Sequence, residues 1–219
     1  MKSGSKKHSW KLAVAALAIV AVVALWFVDR GGIFPTERVN YRFEVTVDTP
    51  HGEMTSYAVH QITIVDQLRT IARNYQINTD GEAVIFPLPD GRYLFATLRF
   101  NGGIGIQQLI AESLGKEGYR MPSWAEFPRH FSASISEDSF PVLVTIDSSL
   151  RRESLRVVGE AENFRVTSAS FVSSGEGVTS EIADLIPWLI AAIHDLTTLN
   201  SEITEQHKII SSLKFGVRG

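Results

Sequence analysis

Residues 12–28 read LAVAALAIVAVVALWFV, seventeen positions without a charge, a glycine or a proline, and no other stretch constrains the chain as strongly. An apolar run crosses a bilayer only as a helix, because every backbone amide must find a partner where there is no water. At 1.5 Å per residue the run rises about 26 Å. Starting from Trp10, with Lys11 reaching back to the headgroups, lengthens the span to about 28 Å, close to a hydrocarbon core. Trp10 at one end and Trp26 with Phe27 at the other then stand at the interfaces, where amphipathic rings settle.

Charge sets the orientation. Lys2, Lys6, Lys7 and Lys11 precede the run with no acid among them, whereas Arg30 and Arg38 beyond it are offset by Asp29 and Glu37. The positive-inside bias holds the N-terminus in the cytoplasm and exports the rest. A cleaved secretory signal would end in small side chains, but this run ends in Leu25, Trp26, Phe27 and Val28, so an uncleaved anchor is expected. The chain divides accordingly. A basic cytoplasmic tail (1–11) leads into the transmembrane anchor (12–28), then a linker (29–37) broken by Gly31, Gly32 and Pro35. An exported domain (38–199) and a polar C-terminal tail (200–219) follow, the tail with a short apolar end at Ile209, Ile210 and Leu213.

Beyond residue 28 the 24 acidic side chains face 17 Lys and Arg, a formal charge of −7. Nucleic-acid binding needs a basic surface, so no nucleic-acid partner is expected. With no cysteine in the chain, disulfides, a thiolate nucleophile and Cys-ligated metal are excluded.

From Asn40 the apolar period shortens from 3.6 to 2. Tyr41, Phe43, Val45 and Val47 alternate with Arg42, Glu44 and Thr46, and the turn chemistry of Pro50 and Gly52 brings back a second arm, predicting a hairpin over 40–65. Leu68, Ile71 and Ala72 predict a short helix or irregular turn over 66–74, and Asn78, Thr79, Asp80 and Gly81 a further turn. A second hairpin joins 83–88 to 92–100, with Pro87 at an edge or bulge. Ile106, Leu109, Ile110 and Leu114 predict an amphipathic helix over 106–116. Residues 117–135 read as an aromatic packed loop, 140–146 and 164–172 as strands, and 182–199 as a helix interrupted at Pro187. The fold class is α+β, one mainly antiparallel β domain with two or more covering helices after a single transmembrane helix.

Several phrases carry a likeness: Tyr41 to Val47 running into Thr49-Pro50-His51-Gly52-Glu53, Gly81-Glu82-Ala83-Val84 with Gly91-Arg92-Tyr93-Leu94, Phe140-Pro141-Val142-Leu143, and Leu185-Ile186-Pro187-Trp188-Leu189. In these the chain resembles a family of uncharacterised proteobacterial exported, membrane-anchored proteins over most of 40–190. It departs from the family pattern at Thr55-Ser56-Tyr57-Ala58-Val59, where the pattern is small and Gly/Ser-rich. The resembling residues are turns and strands, and the family has no established activity, so the resemblance implies no site residue.

No catalytic constellation stands out. The glycine-rich segment 101–105 precedes a helix and could cradle an anion, yet it lacks the third glycine and the βαβ context of a dinucleotide fingerprint and reads as a tight turn. The histidines, His8, His51, His60, His130, His194 and His207, show no metal-ligand spacing. Ser113 with Lys116, and Ser211 with Lys214, match S-x-x-K by letter without the companion motifs of penicillin-interacting enzymes. Arg151, Arg152 and Arg156 read as a solvated turn able to meet an acidic group. Glu137 with Asp138, and Glu160 with Glu162, lie in polar loops, without the burial that acid–base work draws on. The aromatic loop 119–131 is the best ligand-facing surface on composition, with core packing as its default reading.

The expectation is therefore a single-pass protein of the cell inner membrane, N-terminus cytoplasmic and C-terminal domain periplasmic. It has no catalytic residue, no metal and no cofactor. Its partners are the lipid bilayer and an envelope protein, and its role is interaction or assembly. The competing expectation is an exported hydrolase or small-ligand-binding domain assembled from distant loops.

Overall fold

The computed structural model describes residues 17, 19–21, 36–69, 72–119, 124–189, 191–192 and 205–215. The chain divides into two compact units, residues 1–37 with 64–77, and residues 38–63 with 78–219. In the first unit Leu17, Ile19, Val20 and Ala21 are helical; Leu17, Ile19 and Val20 are 76, 64 and 66% exposed. The rest of the expected anchor, and the linker up to residue 35, lie outside the described residues. Among the described residues no helix is long and apolar enough to cross a membrane.

The second unit is built of mainly antiparallel sheets with a few helices. A six-stranded sheet has the order β10-β3-β2-β1-β9-β6. Its strands are β1 (Thr36–Thr49), β2 (Gly52–Arg69), β3 (Ala72–Glu82), β6 (Ser132–Ser134), β9 (Arg165–Ser173) and β10 (Lys214–Phe215), of which β1, β2 and β3 include residues of the first unit. A four-stranded sheet has the order β4-β5-β7-β8, from β4 (Val84–Pro87), β5 (Tyr93–Phe100), β7 (Pro141–Ile146) and β8 (Arg156–Val157).

The period-2 reading of β1 holds residue by residue: Val39, Tyr41, Phe43, Val45 and Val47 are buried, while the alternate residues stay partly exposed. Its turn into β2 is tied by Thr49, whose hydroxyl donates to the Gly52 carbonyl at 2.8 Å and accepts from the His51 amide at 3.1 Å. Gly52 takes φ +109°, which a Cβ would resist. The second hairpin forms as expected, and Pro87 ends up on the outermost strand, where its missing N–H breaks no ladder.

The four-stranded sheet is covered on both faces. On one side Ala83, Phe95, Val144 and Ile146 pack against Ile182, Ile186 and Leu189, and against Ile209, Ile210 and Leu213. On the other the Phe100 ring meets Phe43 of the six-stranded sheet edge-on, 5.8 Å between centroids. Helix α1 (Ile106–Lys116) buries the predicted stripe of Ile106, Leu109, Ile110 and Leu114 and packs against β6 and β5. Helix α2 (Glu181–Leu185) stops before Pro187, and helix resumes at 188–189 and 191–192. The expected interruption is there; residues 193–199 lie outside the described ones.

Two expectations are corrected. Residues 66–69 and 72–74 are strand rather than helix, since β2 continues to Arg69 and β3 begins at Ala72; residues 70 and 71 lie outside the described ones. A helical window of nine residues cannot sustain itself without a packing face, and the β-branched run Ile62-Thr63-Ile64-Val65 leads straight into an extended ladder. Asn78 to Gly81 is not a turn but the end of β3. The short apolar end of the C-terminal tail finds a place in the core, where helix α3 (Glu205–Ser211) and β10 put Ile209, Ile210 and Leu213. There the Ala83 amide donates to the Leu213 carbonyl at 2.9 Å and the Leu98 amide to Ser212 at 2.7 Å.

Candidate functional site

An open groove of about 550 Å³ runs between the β7–β8 pair and the start of β9. Phe140, Val142, Val157 and Phe164 contribute its apolar walls, and Arg99, Asn101 and Arg165 its polar groups. Val157 is 43% exposed, unusual for a large aliphatic side chain in this unit. The groove exists because β8 is only two residues long. The 3₁₀ turns at Arg152–Ser154 and Glu160–Glu162 end it on both sides, the latter capped by the Glu162 carboxylate, which accepts the Gly159 amide at 3.1 Å. Glu162 also pairs with Arg156 at 2.7 Å and lies 3.7 Å from Arg92, so this carboxylate is committed.

A second polar centre is buried between the sheets. His60 on β2 is fully inaccessible; its Nε2 lies 2.8 Å from the Glu82 carbonyl oxygen and its Nδ1 3.3 Å from the Tyr41 hydroxyl. A carbonyl only accepts, so Nε2 carries the proton and donates to Glu82, leaving Nδ1 to accept from Tyr41. The Tyr41 and Phe43 rings flank the imidazole at 5.2 and 5.7 Å. Gly81 lies against it, where an added Cβ would stand 2.5 Å from Cδ2 and 2.6 Å from Cγ. The Glu82 side chain turns to α2 and accepts the Glu181 amide at 2.7 Å and the Ile182 amide at 3.2 Å, capping that helix from a distant strand.

Burial sets the titration of this centre. Desolvation lowers the His60 pKa from 6.5 to about 4, against the opposing hydrogen bond to Glu82. Desolvation also raises the Tyr41 hydroxyl and, despite the two amides it accepts, the Glu82 carboxyl. For His60 the unfolded chain takes up a proton near 6.5 and the folded chain only near 4. Its contribution is therefore complete above pH 6.5 and is lost as pH falls through that window, by about 3 kcal/mol. Glu82 acts with the opposite sign, its contribution being lost as pH rises above its ordinary 4.5. Urea unfolding of Glu82→Gln, which removes the offset, is expected to weaken by about 3 kcal/mol between pH 7 and pH 4, with a His60 proton-resonance midpoint near 4. A midpoint near 6.5 contradicts the burial argument.

The residues singled out in the sequence fall elsewhere. In segment 101–105, Asn101–Gly103 form a 3₁₀ turn with Gly102 and Gly103 at positive φ, and the extended Gly105 stands at the N-cap of α1. Of the histidines, His51 and His130 are exposed, His207 lies on α3, and His8 and His194 lie outside the described residues. Among the described residues no group of three His, Cys, Asp or Glu could hold a metal ion. Ser113 is buried on α1 while Lys116 is exposed, and the Ser211 hydroxyl donates to the Lys208 carbonyl at 3.1 Å. Arg156 does meet an acid, Glu162; Arg151 donates to the Ser149 hydroxyl at 3.1 Å. Glu137 and Asp138 sit exposed in a 3₁₀ turn. The aromatic loop packs inward: Trp124 stacks on Phe127 at 5.6 Å, and Phe127 meets the buried Phe131 edge-on at 5.4 Å. Core packing, not a ligand surface, is what its described rings do.

Arg99, Val157 and Arg165 carried no signal in the sequence, since a groove wall made from three distant segments has no linear pattern. His60 did carry one: it occupies an inward position of β2, in line with Ala58, Ile62 and Ile64. Comparison with family models, curated proteins and solved structures finds no match.

Proposed function

We propose that this protein is a membrane-tethered interaction module of the cell envelope, its second unit presenting the β7–β8–β9 groove to a protein partner on the periplasmic side of the inner membrane. The groove carries the reading. It is open, mostly apolar, and among the described residues that line it there is no His, Ser or carboxylate. Such a surface binds by shape and burial. Tethering rests on the seventeen-residue apolar run and its four flanking lysines, and the exposure of Leu17, Ile19 and Val20 on helical backbone supports it.

Alkaline carbonate is expected to leave the full-length chain in the vesicle pellet, and protease added to intact spheroplasts is expected to digest the folded unit. A photo-crosslinking residue at Val157 is expected to capture a specific partner in cells, and the same residue at the exposed His130 is not. Release by carbonate, or protection until lysis, overturns the tether. Equal capture from both positions overturns the groove.

A further inference from the structure

Three observations at the groove converge on one kind of occupant. The first is hydrogen bonding. Val144 stands opposite Val157, and the Val158 amide donates to the Leu143 carbonyl at 3.0 Å. In an antiparallel ladder, hydrogen-bonded and non-hydrogen-bonded pairs alternate, so the amide and carbonyl of Val157 point away from β7, toward the open edge. The second is charge. Among the described residues that line the groove both ionisable side chains are guanidinium groups, in a part of the chain whose formal charge is −7. Arg165 makes no ion pair among the described residues: its cross-strand neighbour Asp48 stands in register but beyond ion-pair distance, and Glu162 is held by Arg156 and the Gly159 amide. The third is shape, since a volume of about 550 Å³ with apolar walls takes side chains as well as backbone.

We propose that the groove binds an extended peptide segment in which carboxylate side chains alternate with aliphatic ones, its backbone pairing with the free edge at Val157 and a carboxylate meeting Arg165. The inference rests on the interaction reading above and names the chemistry of its partner. Strand addition supplies main-chain hydrogen bonds, and alternate side chains of the peptide face the groove and the solvent. A bidentate guanidinium–carboxylate contact fixes the register and discriminates against basic segments. An anionic lipid headgroup would meet the arginines but has no use for the outward amide and carbonyl of Val157.

The test uses the full-length chain in detergent micelles and two fluorescent octapeptides, one alternating Val and Glu, the other Val and Lys. Saturable binding of the Val/Glu peptide only is expected, weakening as salt is raised. Arg165→Glu is expected to weaken it about ten-fold, which is about 1.4 kcal/mol. Val157→Pro, which deletes the outward donor, is expected to weaken it as well. Arg165 is exposed and carries no ion pair, so its variant is expected to keep the wild-type urea midpoint; should Val157→Pro fail to fold, Arg165→Glu decides the matter. Equal binding of the two peptides, no binding, or indifference to Arg165→Glu overturns the proposal. So does displacement of the peptide by phosphatidylglycerol vesicles, which assigns the cationic groove to lipid. A partner captured at Val157 in cells, with the Val/Glu peptide failing to bind, overturns the peptide chemistry and leaves the interaction role standing.

Discussion

Gly81→Ala lowers the stability of the folded protein by about 3 kcal/mol, a large effect for one added methyl group, because the methyl has nowhere to go. The new Cβ would stand 2.5 Å from Cδ2 and 2.6 Å from Cγ of His60. The ring cannot retreat, being held by the Glu82 carbonyl at 2.8 Å and walled by Tyr41 and Phe43. The backbone of β3 would have to move instead, at the point where Lys214 and Phe215 of β10 pair with Glu82 and Gly81. Urea unfolding of the single variants and of Gly81→Ala/His60→Ala tests this as a double-mutant cycle. His60→Ala is destabilising by itself, because it opens a cavity and strands the Tyr41 hydroxyl and the Glu82 carbonyl. In the double variant the alanine methyl enters the space that the ring vacated. The combined loss is then expected to fall short of the sum by 1 kcal/mol or more, within the range for residues in contact. Simple additivity would show that the contact does not limit packing.

Removing residues 205–219 abolishes cooperative unfolding. Ile209, Ile210 and Leu213 are 6, 0 and 0% exposed and lie in one cluster with Phe95, Val144 and Ile182. Burial of each such side chain contributes about 1.5–3 kcal/mol, so losing three of them consumes most of the 5–15 kcal/mol that a domain has. The truncation also strands the Ala83 and Leu98 amides and removes β10 from its place beside β3. The milder Ile210→Ala is expected to cost about 2–5 kcal/mol with the transition intact. The exposed Lys208→Ala is expected to change stability by less than about 0.5 kcal/mol. A truncated chain that unfolds with the wild-type midpoint would mean that α3 and β10 add nothing to the core.

Both predictions concern places where the linear reading and the fold differ, and for related reasons. Asn78, Thr79, Asp80 and Gly81 have turn composition, yet Gly81 serves the close approach of an imidazole from a strand some twenty residues earlier. The need for a missing side chain is set by what stands opposite, and composition does not record that. At 66–69 and 72–74 the helical spacing read in the sequence yielded to the strands β2 and β3.

Where a pattern repeats along one element, the sequence alone was sufficient. The alternation of Tyr41, Phe43, Val45 and Val47 specified β1 and its buried face. The stripe of Ile106, Leu109, Ile110 and Leu114 specified α1, and Pro87 and Pro187 marked an edge strand and a helix break. These are local consequences of backbone period and of proline's missing donor. The apolar run 12–28 stands apart from them, an expectation from the sequence that falls mostly outside the described residues. Tertiary structure decided the remainder: the seat of His60 over Gly81, the cap that Glu82 places on α2, the entry of the last helix into the core, and a groove shared by Arg99, Val157 and Arg165. Each depends on which distant segments become neighbours, and that outcome follows from the joint packing of two sheets and their covering helices.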